Sequence, residues 1–190
     1  MQVKILLMLL IFQGALVGQQ KHSSELDRYI QNIRNDRMTE DAKLTMETIS
    51  SIRTGHTTLT FVKDSTSGTY GTSYGSTFCP RPGTDSSENL KISKQIDADV
   101  NADIKKIRPL ADFDNSGFIT TDEANRFRRV IEFGLLANFV AKKGEPESIV
   151  VRSFGIPKDR LRKMIEDYKN MVRNARNLGV IDIPAWPFPD

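Results

Sequence analysis

The stretch that most restricts what this chain can become is Asp112-Phe113-Asp114-Asn115-Ser116-Gly117-Phe118-Ile119-Thr120-Thr121-Asp122-Glu123. Its Asp, Asn, Ser and Gly residues interrupt regular structure, because their short side chains compete for backbone hydrogen bonds or free the backbone to turn. Counted from Asp112, oxygen side chains stand at positions 1, 3, 5, 9 and 12, the last being Glu123. A hard divalent cation such as calcium takes about six to eight oxygens at about 2.3 to 2.6 Å. A loop of twelve residues can wrap that sphere only if its backbone turns sharply midway, and Gly117 at position 6 supplies the left-handed conformation the turn needs. The expected metal ligands are the side chains of Asp112, Asp114 and Ser116, the carbonyl of Phe118, Thr120 directly or through water, and Glu123 through both carboxylate oxygens.

These residues resemble the calcium loop of the EF-hand family. Ile119 falls where paired loops of that family join in a short two-stranded bridge, and the following helix presents Phe127 and Val130 as the family does. The resemblance covers residues 101 to 134 or so and implies an EF-hand-like helix-loop-helix that binds Ca2+. Pro109, three residues before the first ligand, lacks an N–H and is expected to kink the entering helix or end it early. Three formal carboxylates, on Asp112, Asp114 and Glu123, with neutral Ser116 and Thr120, imply a weak to moderate site. Extracellular loops of this kind lie near about 10⁻⁴ to 10⁻³ M. The earlier run Asp97-Ala98-Asp99-Val100-Asn101-Ala102-Asp103 has no Gly at its sixth place and Arg108 at its twelfth, so it reads as the acidic face of a helix.

Helical spacing surrounds the loop. Leu26, Tyr29, Ile30 and Ile33 predict a helix from His22 to Arg37, and Thr39 caps a second one that buries Ala42, Met46, Ile49 and Ile52 and stops at Gly55. Ile92, Ile96, Val100, Ile104 and Ile107 predict a long helix starting at Ser86 or Ser87. Beyond Glu123, Phe127, Val130, Ile131, Leu135 and Phe139 face inward, with Gly134 leaving a notch. A short helix from Pro146 to Ser153 precedes a longer one from Pro157 to about Asn177, apolar at Leu161, Met164, Ile165, Tyr168 and Val172. The stretch from Thr57 to Ser87 is rich in Ser, Thr and Gly and poor in apolar residues, so it is expected as a long loop or flexible insert, with Thr57 to Val62 a possible short strand.

The fold class expected is therefore all-α, a small helical domain around the loop with a loop-rich Ser/Thr/Gly insert. Its divisions are a signal peptide over 1–18, a helical hairpin over 22–55, the insert over 56–87, the EF-hand-like domain over 88–178 and a Pro-rich tail over 179–190 that wraps rather than coils. The signal peptide is read from Lys4 and the apolar run Ile5 to Phe12, too short to span a bilayer, followed by small residues at Ala15 and Gly18. It predicts a secreted, periplasmic or lumenal protein with no transmembrane segment once cleaved.

One Cys and two His in the chain exclude a disulfide framework, a four-ligand zinc site and dithiol chemistry. Cys79 is free or pairs with another chain. A net charge of +3 predicts no polyanion coat. No nucleophile motif, phosphate loop or His cluster is present, so the chain is not expected to be an enzyme. Ile119 needs a mate to cover its bridge strand. Ile156 is favoured by lying 37 residues on with Gly155 before it; Leu59 to Val62 and a second copy of the loop, making a homodimer, are the alternatives. Residues 154 to 164 fit a degenerate hand with Arg160 at the closing position, a plain helical hairpin, or a helix-turn-helix. Residues 124 to 190 hold 13 basic and 8 acidic side chains. That keeps open an alternative function, a basic C-terminal module binding an acidic protein partner or DNA while calcium is structural only. The primary reading is an exported calcium-binding interaction module.

Overall fold

The computed structural model describes residues 37–77, 86–180 and 182–189. The leader at 1–18, the helix expected from His22 to Arg37 apart from Arg37 itself, and Cys79 lie outside the described residues. Those described are mostly helical: α1 (Glu40–Arg53), α2 (Ser86–Ala111), α3 (Thr121–Lys142), α4 (Glu147–Phe154) and α5 (Lys158–Asn177), with strands β1 (Thr57–Lys63) and β2 (Tyr70–Ser76) between α1 and α2. No helix among them is long and apolar enough to cross a membrane.

Helix α3 is the centre of the packing and carries two apolar faces. Phe127, Val130 and Ile131 join Ala42, Met46 and Ile49 of α1, Val100, Ile104 and Ile107 of α2, and Tyr168 and Val172 of α5 in the larger core. One turn on, Phe133, Leu136, Ala137 and Val140 build a second cluster with Val150 of α4, Ile156 and Tyr70 of β2. The inward set expected on α3 was narrower. Leu135 and Phe139 are only half-buried, because a helix covered on both sides buries more than one stripe. At the other extreme Ile92 is exposed, since the first turns of α2 run past the body of the core.

Gly134 does leave a notch, and the ring of Tyr168 fills it; a methyl group there would fall inside the ring. The Tyr168 hydroxyl donates to the carbonyl of Pro184, and burial pushes the phenol well above its usual range. The Pro-rich tail wraps as expected. Trp186 stacks on Phe133 at 5.1 Å, the amide of Asn138 reaches the carbonyl of Ala185 at 3.0 Å, and Asp182 pairs with Arg53. Arg53 also grips Asp103, whose buried carboxylate takes the Ser50 hydroxyl at 2.6 Å. The acidic run of α2 is thus a helix face as read, but Asp103 faces inward and is paired.

The insert over 56–87 is corrected in part. It contains an antiparallel hairpin with Thr57 opposite Ser76 and Lys63 opposite Tyr70. In β1, Thr57, Leu59 and Phe61 alternate inward. The connecting turn is held by Asp64, whose carboxylate accepts the amides of Thr66 and Ser67. Its partner strand buries Tyr70 alone. Tyr70 meets Phe139 edge-on, donates its amide to Ser153 and its hydroxyl to Glu145, while the Tyr74 hydroxyl donates to Glu132 of α3. A count of apolar residues misses this, because the anchoring is done by two tyrosines through rings and hydroxyls.

Candidate metal centre

Helix α2 delivers Asp112. Pro109 was expected to kink the helix or end it early; of these the early end does not occur, since α2 continues to Ala111. The proline stands in the last turn, where it costs one backbone hydrogen bond, and the burial of Leu110 and Ala111 keeps the turn in place. At the far side, α3 delivers Glu123. Thr120 is its N-cap, accepting the Glu123 amide at 3.3 Å, and the Glu123 carboxylate returns the bond to the Thr120 amide at 3.0 Å and hydroxyl at 2.8 Å. This reciprocal cap turns the Glu123 side chain back over the loop.

Between those ends the backbone takes two left-handed residues, Asn115 at φ 57° and Gly117 at φ 76°. Gly117 was expected there; Asn115 is the other residue type that tolerates the conformation. The turns point amides inward. Gly117 donates to Asp112 Oδ2 at 2.9 Å, Ser116 to Asp114 Oδ1 at 2.9 Å, and Phe113 to Glu123 Oε1 at 3.0 Å. Carboxylate oxygens of Asp112, Asp114 and Glu123 consequently lie within 4.8 Å of one another. The Ser116 hydroxyl and amide hold the Asp114 carboxyl below its usual range, so it is charged in neutral solution.

One oxygen is left over. Asp112 Oδ1 is buried and, among the described residues, has no hydrogen-bond partner. A buried carboxylate oxygen without a donor is costly beside two other carboxylates, and a cation is the group that would satisfy it. The donor set is all oxygen, which suits a hard ion such as calcium. Of the expected ligands, Asp112, Asp114 and Glu123 converge. Ser116 Oγ instead donates to the Phe118 carbonyl at 3.0 Å, and Thr120 Oγ1 is occupied by the helix cap.

The mate of Ile119 is not the expected one. Its amide donates to the Arg37 carbonyl at 2.8 Å and its carbonyl accepts from the Thr39 amide at 3.1 Å, a parallel bridge with Met38. Thr39 and Thr121 add a hydroxyl bond of 2.8 Å. Arg108 closes the back of the loop by donating to the carbonyls of Arg37 and Gly117, and its partial burial followed by the charge of Arg37 lowers its pKa. Ile156 is buried in the second cluster, and its amide donates to the Val151 carbonyl at 3.2 Å, closing α4 and making no bridge with Ile119. The degenerate-hand reading of residues 154 to 164 and the Leu59 to Val62 pairing therefore fall. Gly155, at φ 57°, ends α4, and a three-residue turn leads into α5.

Sequence reasoning missed the segment from Arg37 to Thr39 and the role of Arg108. A signal for the first was present: Met38-Thr39-Glu40-Asp41 repeats the apolar residue, threonine cap and acidic first turn of Ile119-Thr120-Thr121-Asp122. Phe113 also links outward, its ring lying 4.1 Å from the Arg126 guanidinium, which pairs with Asp167 of α5. Comparison with protein-family models, curated proteins and solved structures found no match.

Proposed function

We propose that this chain is a calcium-binding protein with one competent loop, residues 112–123, in which the ion acts as a structural clip for the helices around it. The observation that carries the reading is the convergence of Asp112, Asp114 and Glu123 around a buried Asp112 oxygen that lacks a donor. Bound calcium supplies positive charge that offsets the mutual repulsion of these carboxylates. Asp112 then anchors the end of α2 and Glu123 the start of α3 to one point, while Gly117 and Asn115 keep the intervening backbone wrapped.

A clip suits this loop better than a sensor. The apolar residues that a sensor would expose on binding, Ile107, Phe127 and Val130, are already covered by α1 and α5. The back of the loop is also fastened to Arg37–Thr39. Export, read from the leader-like residues 1–18, favours the same role, since a site of about 10⁻⁴ M would stay filled outside the cell. Thermal unfolding of chain starting at Gln19 tests this. Calcium should raise Tm more than magnesium at equal concentration, with no gain in binding of a hydrophobic dye. Dye binding that rises with calcium on folded protein would make it a sensor; an unchanged Tm would remove the site.

A further inference from the structure

We propose that the outer face of α5, together with the C-terminal tail, is a trough for an acidic amphipathic segment of another protein. The inference does not rest on the metal reading, since none of the residues involved belongs to the loop. Its floor is the apolar edge of α5 that the core does not fully cover. Leu161 and Ile165 are half-buried, and Trp186, which stacks on Phe133, lines the same cavity. They line an open cavity of about 760 Å³, which continues into a cleft of about 360 Å³ that shares Lys169, Arg173 and Trp186.

The rim is cationic and ordered. Lys158, Arg162, Lys169, Arg173 and Arg176 line the two cavities, and their spacing puts them along one side of α5. At 1.5 Å per residue the ladder is about 27 Å long. Among the described residues Lys158, Arg162, Arg173 and Arg176 have no ion pair, whereas Arg53, Arg126 and Arg128 are all paired. Two carboxylates, Glu147 and Glu166, also stand on the wall.

These features select the partner. Four cations without an ion pair along one side of α5, Lys158, Arg162, Arg173 and Arg176, call for carboxylates at matching spacing, and the half-buried floor calls for apolar side chains between them. A peptide helix with one acidic and one apolar face offers both. Duplex DNA fits less well, because Glu147 and Glu166 oppose a continuous polyphosphate and the floor is apolar. A bilayer surface fits less well too, because the apolar residues lie at the bottom of a trough instead of projecting.

The chain has one tryptophan, so Trp186 fluorescence reads the trough directly. The probes are a peptide of about 18 residues, long enough to span the ladder as a helix, with Glu on one face and Leu on the other, the same composition scrambled, and a Lys-for-Glu version. Saturable, salt-sensitive binding of the patterned acidic peptide, with a blue shift of Trp186 emission, is expected. Scrambling should abolish the shift. Reversing the rim with Arg162→Glu and Arg173→Glu should weaken the acidic peptide by about tenfold or more and strengthen the Lys peptide; the milder Arg162→Gln and Arg173→Gln pair gives the same direction if the reversal unfolds α5. No binding, binding indifferent to both pairs of substitutions, or a larger Trp186 response to duplex DNA or phosphatidylserine vesicles would overturn the proposal.

Discussion

Glu123 serves the helix and the loop with one carboxylate, Oε2 facing Thr120 and Oε1 facing the amides of Phe113 and Asp114. Those two duties separate by substitution. Gln can keep the reciprocal cap, so Glu123→Gln should leave metal-free stability within about 1 kcal/mol of the parent, while Glu123→Ala should lose about 1 kcal/mol or more. Urea midpoints in chelator measure both. Gly134 presents the opposite problem, one of space. Ala improves helix propensity by up to about 1 kcal/mol, but its methyl would overlap the Tyr168 ring, which is fully buried and tied to Pro184. Overpacking of that kind costs about 1 to 3 kcal/mol, so Gly134→Ala should be less stable on balance. A midpoint equal to or above the parent's would mean that the ring can move aside.

At the scale of elements, the hairpin and the bridge are where structure departed from expectation, and both make predictions. Partial burial, followed by the hydrogen bond to Glu132 and its charge, pushes the Tyr74 hydroxyl up to about 12. An unfolded tyrosine ionises near pH 10. Between those values the unfolded chain holds fewer protons than the folded one, so stability falls as pH rises. The contribution is intact below about pH 10 and lost as pH passes about 12. Alkaline denaturation followed by circular dichroism should therefore be shallower for Tyr74→Phe. The bridge predicts the route by which calcium acts. Ordering the loop should slow hydrogen exchange at Thr39 and Ile119, whose amides cross it, and in the first turn of α1. Residues 154 to 164 should respond less, because Ile156 packs in the other cluster. Equal protection of Ile156 and Thr39 would contradict the observed pairing. The helices were legible because each has a stripe such as Val100, Ile104 and Ile107 that local spacing reveals. The bridge and hairpin were not, because Met38 and Ile119 are 81 residues apart and β2 holds on through Tyr70 and Tyr74.

Taken whole, the molecule joins the loop to most of its helices: α2 and α3 enter and leave it, α1 starts at its bridge, and α5 reaches Phe113 through Asp167 and Arg126. Calcium at ten times its dissociation constant would add about 1.4 kcal/mol to the folded state by linkage, and this connectivity spreads that gain beyond the loop. The loop's carboxylate cluster was legible because its donors lie close together in the chain, with Gly117 marking the turn. The unpartnered Asp112 oxygen and the closure by Arg108 were not, since both depend on packing between separate segments. Calorimetric titration with calcium, then magnesium, of chain starting at Gln19 tests the central claim most directly. One calcium should bind per chain, more tightly than magnesium. Binding should be lost or much weakened in Glu123→Gln and retained in Asp122→Asn, since Asp122 is exposed at loop position 11. Absence of calcium binding by the folded parent, or unchanged binding by Glu123→Gln, would show that residues 112–123 are not a metal site.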